Sequence, residues 1–225
     1  MNHNPMRMNA PAIRPQKMTR RAIAKQQTRE KVLQSARELF IERGYEGATI
    51  RDIARAAGMS TGAVFASFAD KNELFDAILN DDFAALLEPM QDAVVGATTA
   101  REALVGMFGA AYRAHAHQLP LILAALAASW TRTPEAERLR RESMRPIRAL
   151  VLEVLERGVE RAELAPRFDL RLIGEMVWDL FLAGYRPAAF DGASVENQTD
   201  KLADRIDVVL TAVKASLPRR AHPSR

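Results

Sequence analysis

The side chains able to do chemistry in this chain are few and unevenly placed. Its 225 residues contain no cysteine and only four histidines, which excludes thiolate nucleophiles, thiolate metal sites and disulfides. His115 and His117 stand as HAH, but positions i and i+2 of a helix point about 200 degrees apart and cannot share an ion. No phosphate-binding loop, dinucleotide glycine pattern, metalloprotease helix or serine elbow occurs. No cofactor is called for, and an all-helical enzyme working through carboxylates is an unmotivated alternative. What remains is IRDIARAAGMSTGAVFASFADK, residues 50–71, a stretch of hydroxyls and very small residues. Thr61 and Ser67 can exchange hydrogen bonds with base edges or phosphates, and the methyls of Ala63 and Ala66 suit a thymine methyl. Gly62 leaves the backbone bare. This is the chemistry of touching duplex DNA, not of breaking a bond.

Such residues work only on a short helix that another helix holds at a steep angle. Val32, Leu33, Ala36, Leu39 and Phe40 recur at helical spacing over 28–43, and Gly44 supplies the stop. Thr49 caps a second helix with Ile50, Ile53, Ala54 and Ala57 on its inner face, and Gly58 breaks it. Ser60 caps a third helix ending near Phe68, and Asp70 with Glu73 forms a capping box for a fourth. Two short helices joined by a three- or four-residue turn with glycine are the pattern of a helix-turn-helix, whose second helix enters the major groove. Ahead of it, residues 1–31 carry eight Lys/Arg against the single acid Glu30, a net +7 in a chain of net +4 overall, so the rest sums to −3. A basic arm of this kind adds sequence-independent affinity for phosphates. Residues 1–27 are expected to form this arm, disordered at its start.

The segment TREKVLQSARELFIERGYEGATIRDIARAAGMSTGAVFASFADKNELFDAIL resembles the DNA-binding domain of the tetracycline-repressor (TetR) family, with LFIERGYEGATIRDIARAAGMSTGAVF as the specific core of the likeness. The resemblance implies a helix-turn-helix domain over 28–87 and a helical effector-binding and dimerisation domain over 88–225. It further implies a homodimeric, ligand-responsive repressor that recognises a palindromic operator. Carried over by position, Thr49 and Arg51 would touch phosphate or a groove edge, and Lys71 would hold phosphate. Ser60, Thr61, Gly62, Ala63, Phe65, Ala66 and Ser67 make up the groove-facing surface, while Arg20, Arg21 and Lys25 of the arm add backbone or minor-groove contacts. Phe65 stands where the family usually has tyrosine, which removes one phosphate hydrogen bond. A constitutive or architectural DNA-binding regulator is the alternative.

Beyond Pro89 every element again reads as helix, so the fold class is all-α. Thr99 with Glu102 starts one helix and Pro120 ends it. Thr133-Pro134 starts a run expected to reach Arg157, Asp169 caps a helix stopping before Pro187, and Ser194 caps the last. Ile173, Val177 and Leu180, with Leu202, Ile206, Val209, Val213 and Leu217, form two stripes read as the dimer interface, Gly174 and Gly184 allowing close contact. For a hydrophobic effector the candidate lining is Met107, Phe108, Tyr112, His115, Trp130, Met144, Met176, Trp178, Phe181 and Tyr185. The longest apolar run, LPLILAALAASW over 119–130, is about half of the roughly 20 residues a membrane-spanning helix needs. With no apolar leader at its start, the protein is expected in the cytoplasm.

Overall fold

A computed structural model describes residues 19–214. Eleven α-helices and one 3-10 turn make up the described part, with only an isolated bridge between Leu164 and Lys214 in extended geometry. The first helix, α1 (Arg20–Gly47), begins on a Thr19 cap. It therefore opens eight residues before the apolar periodicity of 28–43. Residues 20–27 are exposed and, apart from Ile23, polar or small, so no core-facing stripe announces them; Gln26 bonding Glu30 and Thr28 bonding the Ala24 carbonyl hold the turns instead. The expected arm is thus helical from Arg20, and its residues 1–18 lie outside the described part. Gly44, at φ +73, kinks the far end of α1.

Next come α2 (Ile50–Ala56), α3 (Thr61–Phe65) and α4 (Lys71–Val95). Val32, Phe40, Ile53, Val64, Phe68, Leu74 and Ile78 close a first core. The helix α4 does not end at the joint expected near residue 88. It runs through Pro89, and its lower half, Leu86, Met90 and Val94, belongs to a second core. An interior proline removes one backbone hydrogen bond and strains the preceding turn by about 3 kcal/mol. Pro89 and Ala85, whose carbonyl loses its partner, both lie in exposed positions, where water replaces the bond, and the burial of Met90 and Val94 outweighs the strain.

The second core is built from α5 (Ala100–His115), α6 (Leu119–Ala128), α7 (Pro134–Ser143), α8 (Arg145–Glu160), α9 (Leu170–Ala183), α10 (Tyr185–Asp191) and α11 (Val195–Ala212). The run expected as one helix from Thr133 to Arg157 is divided between α7 and α8 at Met144, because Pro146 in the first turn of α8 has no N–H to continue the ladder. The helix expected to stop before Pro187 instead resumes as α10, with Pro187 in its first turn, where its missing N–H has no partner to lose, and stops at Gly192 with φ +64. Two adjacent residues of α6 serve different cores: Leu121 is fully buried in the first and Ile122 in the second.

The two apolar stripes read as a dimer surface face inward. Ile173, Val177, Leu202, Ile206, Val209 and Val213 are all buried in this chain's own core, and Leu180 is half-buried against it. The helical period identifies a stripe but not which neighbour covers it. Leu217 lies outside the described residues. Gly174 is not tightly packed, its nearest neighbours being the Val151 and Leu155 side chains at 3.6 and 3.7 Å from where a Cβ would stand. Gly184 is tight against its own chain: a Cβ there would collide with the ring and hydroxyl of Tyr112, which is itself fully buried and donates to the Phe181 carbonyl at 2.7 Å. Gly184→Ala is therefore expected to lower stability by about 2 kcal/mol through overpacking, a fall in Tm of roughly 4–8 °C. Calorimetry on the variant measures it, and an unchanged Tm would mean that Tyr112 moves freely.

Candidate nucleic-acid interface and effector cavity

The turn between α2 and α3 is made by Gly58, at φ +68, a left-handed conformation that a side chain rarely adopts. From there Met59 N–H bonds the Ala54 carbonyl at 2.8 Å, locking the turn. Ser60 accepts from Ala63 N–H at 3.2 Å and caps α3. Val64 and Phe68 point into the core with no exposure above 2%, which turns Thr61, Gly62, Phe65 and Ala66 to the surface and leaves Ala63 and Ser67 half-buried. The surface offered is nearly bare backbone. Phe65, 53% exposed, is its one large side chain. The guanidinium of Arg29 sits 4.4 Å over the Phe68 ring and braces this unit from α1.

The basic candidates divide. Arg20, Arg21 and Lys25 are exposed along the first turns of α1, and Arg51 is exposed at the start of α2 without an ion pair among the described residues. Thr49 caps α2, but its hydroxyl proton goes to Asp52 at 2.6 Å, an interaction that holds the Asp52 carboxyl below its ordinary range. Lys71 is engaged elsewhere than its expected phosphate role suggests. Its ammonium donates to the carbonyls of Tyr45 at 2.9 Å and Ala48 at 3.4 Å and lies 4.1 Å over the Tyr45 ring. The kink at Gly44 leaves the last carbonyls of α1 without helical partners, and Lys71 satisfies them. No periodicity signals this, because the kink precedes the lysine by 27 positions.

Along the middle of α4, a cavity opens between α4, α5, α6, α7, α8, α9 and the start of α10. Of the expected lining residues, His115, Met144, Trp178, Phe181 and Tyr185 line it. Met107, Phe108 and Tyr112 do not: all three are fully buried, Phe108 stacks on Phe181 at 4.6 Å, and Tyr112 instead lines a separate cleft with His115 and Tyr185. Trp130 is 90% exposed on the loop after α6, and Met176 is exposed on α9. Apolar aromatic character alone cannot separate a core ring, a cavity ring and a surface ring. Sequence reasoning missed Arg140, Ser129 and the α4 residues Leu79, Phe83 and Met90. Arg140 was concealed within the highly charged run PEAERLRRES of α7. Its burial holds the guanidinium below its ordinary range. Burial also pushes the His115 imidazole down to about 4, with the neighbouring His117 adding to the fall. The volume is about 60 Å³.

With this geometry in place, comparison with known proteins is informative. Residues 32–78 match the model of bacterial regulatory proteins of the tetR family, and 97–206 match a tetracyclin repressor-like C-terminal domain. The chain belongs to the TetR family. Among relatives, the transcriptional repressor AcnR of Corynebacterium efficiens is 43% identical over 65 residues, 29% of this chain and 35% of AcnR, so that match spans only about a third of the relative. The repressor KstR2 of Mycobacterium tuberculosis is 29% identical over 164 residues, covering 71% of this chain and 82% of KstR2. Among solved structures, FadR of Bacillus subtilis in complex with stearoyl-CoA superposes with a TM-score of 0.70 at 16% identity, over 82% of this chain and 98% of that one. The TetR fold thus accounts for both halves, and α4 belongs to both. No described helix is long and apolar enough to cross a membrane.

Proposed function

We propose that this TetR-family chain is a cytoplasmic, ligand-responsive transcriptional repressor that binds a roughly palindromic operator as a homodimer. The observation that carries the reading is that one continuous helix, α4, starts just after α3, packs in the first core and lends its middle turns, Leu79 to Met90, to the wall of an apolar cavity with polar tips. Two of the walls that a ligand would part are α4 and α6. Because Leu121 of α6 is seated in the first core, a shift of α6 reaches α1 and hence the position of α3. The repressor names of AcnR and KstR2 support the sign of regulation, and the FadR complex with stearoyl-CoA supports a small-molecule effector.

At about 60 Å³ the cavity is far below the roughly 300–1,000 Å³ of a pocket that holds a drug-sized ligand. Effector entry therefore requires the helices to separate, and that separation is what would misplace the reading heads. Dimerisation needs a surface other than the buried stripes. Leu172 and Met176 of α9 and Val208 of α11 are exposed on the same two helices, one to two positions away from the inward residues, and supply an apolar patch for a second copy. Repeated selection from a random duplex pool tests the reading. It should recover inverted half-sites whose centres lie about 34 Å apart or a multiple of that, bound by two subunits. Recovery of no preferred sequence would reject it.

A further inference from the structure

The cavity beneath α6 holds more information than its apolar walls, because its unmatched polar groups are all donors. Five polar side chains line it, those of His115, Ser129, Arg140, Trp178 and Tyr185, and no carboxylate does. Ser129 is satisfied, its hydroxyl donating to the Leu126 carbonyl at 2.6 Å. His115 Nδ1 lies 2.5 Å from the Tyr185 hydroxyl.

Burial keeps His115 neutral, so only one ring nitrogen carries a hydrogen. Were that hydrogen on Nδ1, the Tyr185 oxygen would accept it, leaving both the Tyr185 proton and Nε2 without partners in a buried place. With the hydrogen on Nε2, Tyr185 donates to Nδ1 and only one group stays unmatched. The second arrangement is favoured because each unsatisfied buried group costs about 1–3 kcal/mol. It makes His115 Nε2–H a buried donor with no acceptor, and Trp178 Nε1–H is a second. Both residues are only 4% exposed. The third donor is Arg140, whose Nη1 meets nothing better than the Met144 sulfur at 2.9 Å and whose Nε is 3.4 Å from Glu137.

Three under-satisfied donors, one of them a partly desolvated cation held only by a 3.4 Å ion pair to Glu137, complement acceptors and negative charge. Resting on the ligand-responsive reading above, we propose that the effector is an apolar carboxylic acid bound as its anion: a hydrocarbon body against Leu79, Phe83, Met90 and Ile122, oxygen acceptors facing the N–H groups of His115 and Trp178, and a charge balanced by Arg140. Amines are disfavoured, since an ammonium would face three donors, one of them the like-charged Arg140, with only the Ser129 and Tyr185 hydroxyl oxygens to accept from it.

Two hydrocarbon skeletons, octyl and 4-phenylbutyl, each carrying a carboxylate, an amine or a hydroxyl, test this on the full-length protein by thermal shift and by release of the selected operator duplex. The carboxylates, octanoate and 4-phenylbutyrate, should raise Tm and release DNA while the amines do neither. Trp178→Phe keeps an aromatic ring without the N–H and should weaken acid binding about tenfold, the loss of one buried hydrogen bond. Arg140→Met keeps the stem and should erase the preference for acid over alcohol. Amines or alcohols binding as well as the acids would overturn the proposal, as would acid affinity unchanged in both variants. Release of the duplex by an amine or alcohol alone would sink this inference and leave the ligand-responsive reading standing. Silence from all six compounds in both readouts would count against both.

Discussion

Replacing Gly62 with glutamate is expected to leave the protein folded while lowering its affinity for the selected operator more than a hundredfold. The two halves of that expectation have separate causes. Within the protein, a Cβ at Gly62 meets only the Ser60 hydroxyl, at 3.8 Å. The residue lies in the first turn of α3, where an acid is favourably placed against the helix dipole and where leaving glycine behind gains up to about 1 kcal/mol of helix propensity. Tm should therefore hold steady or rise. At the groove, the same side chain intrudes between backbone and bases and sets a carboxylate against phosphates. Like-charge contact in an interface costs several kcal/mol, and about 3 kcal/mol is more than a hundredfold. Fluorescence anisotropy with the selected duplex, beside a melting curve, reads both halves. Tight binding by the variant would show that α3 does not face the groove.

Gly62 also illustrates what the sequence makes legible. A helix whose outward positions, Phe65 apart, are all small is conspicuous because an ordinary amphipathic helix presents long polar side chains to water. The caps were equally plain: Thr49, Ser60, Asp70, Thr99, Thr133, Asp169 and Ser194 each accept from a backbone N–H in the first turn of the helix they precede. Capping is local chemistry, readable within four residues. Facing is not. The stripes of α9 and α11 could pack on their own domain or on a second subunit with the same periodicity, and they pack inward. Lys71 could meet phosphate or protein, and a kink 27 residues earlier decides for protein. The prolines misled in both directions. Pro89, read as the edge of a joint, stands inside α4, where packing on the opposite face outweighs one missing bond; Pro187, read as a stop, stands in the first turn of α10, where no bond is lost; and Pro146, read through, divides two helices. Among the expected cavity residues, His115, Met144, Trp178 and Phe181 were found and Trp130 was not, since ring chemistry does not specify depth.

The second large effect is expected at the joint between the two cores. Arg37 of α1 donates to Asp82 of α4 at 2.5 Å and to Gln118, just before α6, at 3.0 Å. Asp82 and Gln118 are buried, and the second carboxylate oxygen of Asp82 has no partner. Burial raises the Asp82 pKa above its ordinary value despite the opposing pull of Arg37. A carboxyl that holds its proton more tightly folded than unfolded contributes stability that is complete below the unfolded value and is lost as pH climbs through the folded one. Arg37→Met removes the counter-charge, raises that folded value further, and strands the carboxylate at neutral pH. Stranding a buried charge costs about 3–5 kcal/mol. Arg37 is 23% exposed at its side chain, so the lower end of that range, about 3 kcal/mol, is expected at pH 8. At pH 4 the carboxyl holds its proton and most of the loss should vanish. Urea unfolding at pH 4, 6 and 8 measures it. Adding Asp82→Asn to the variant should restore most of the stability at pH 8, because the double change removes both charges together. A loss independent of pH, or no rescue by the second substitution, would mean that Arg37 holds the joint by packing its stem rather than by its charge.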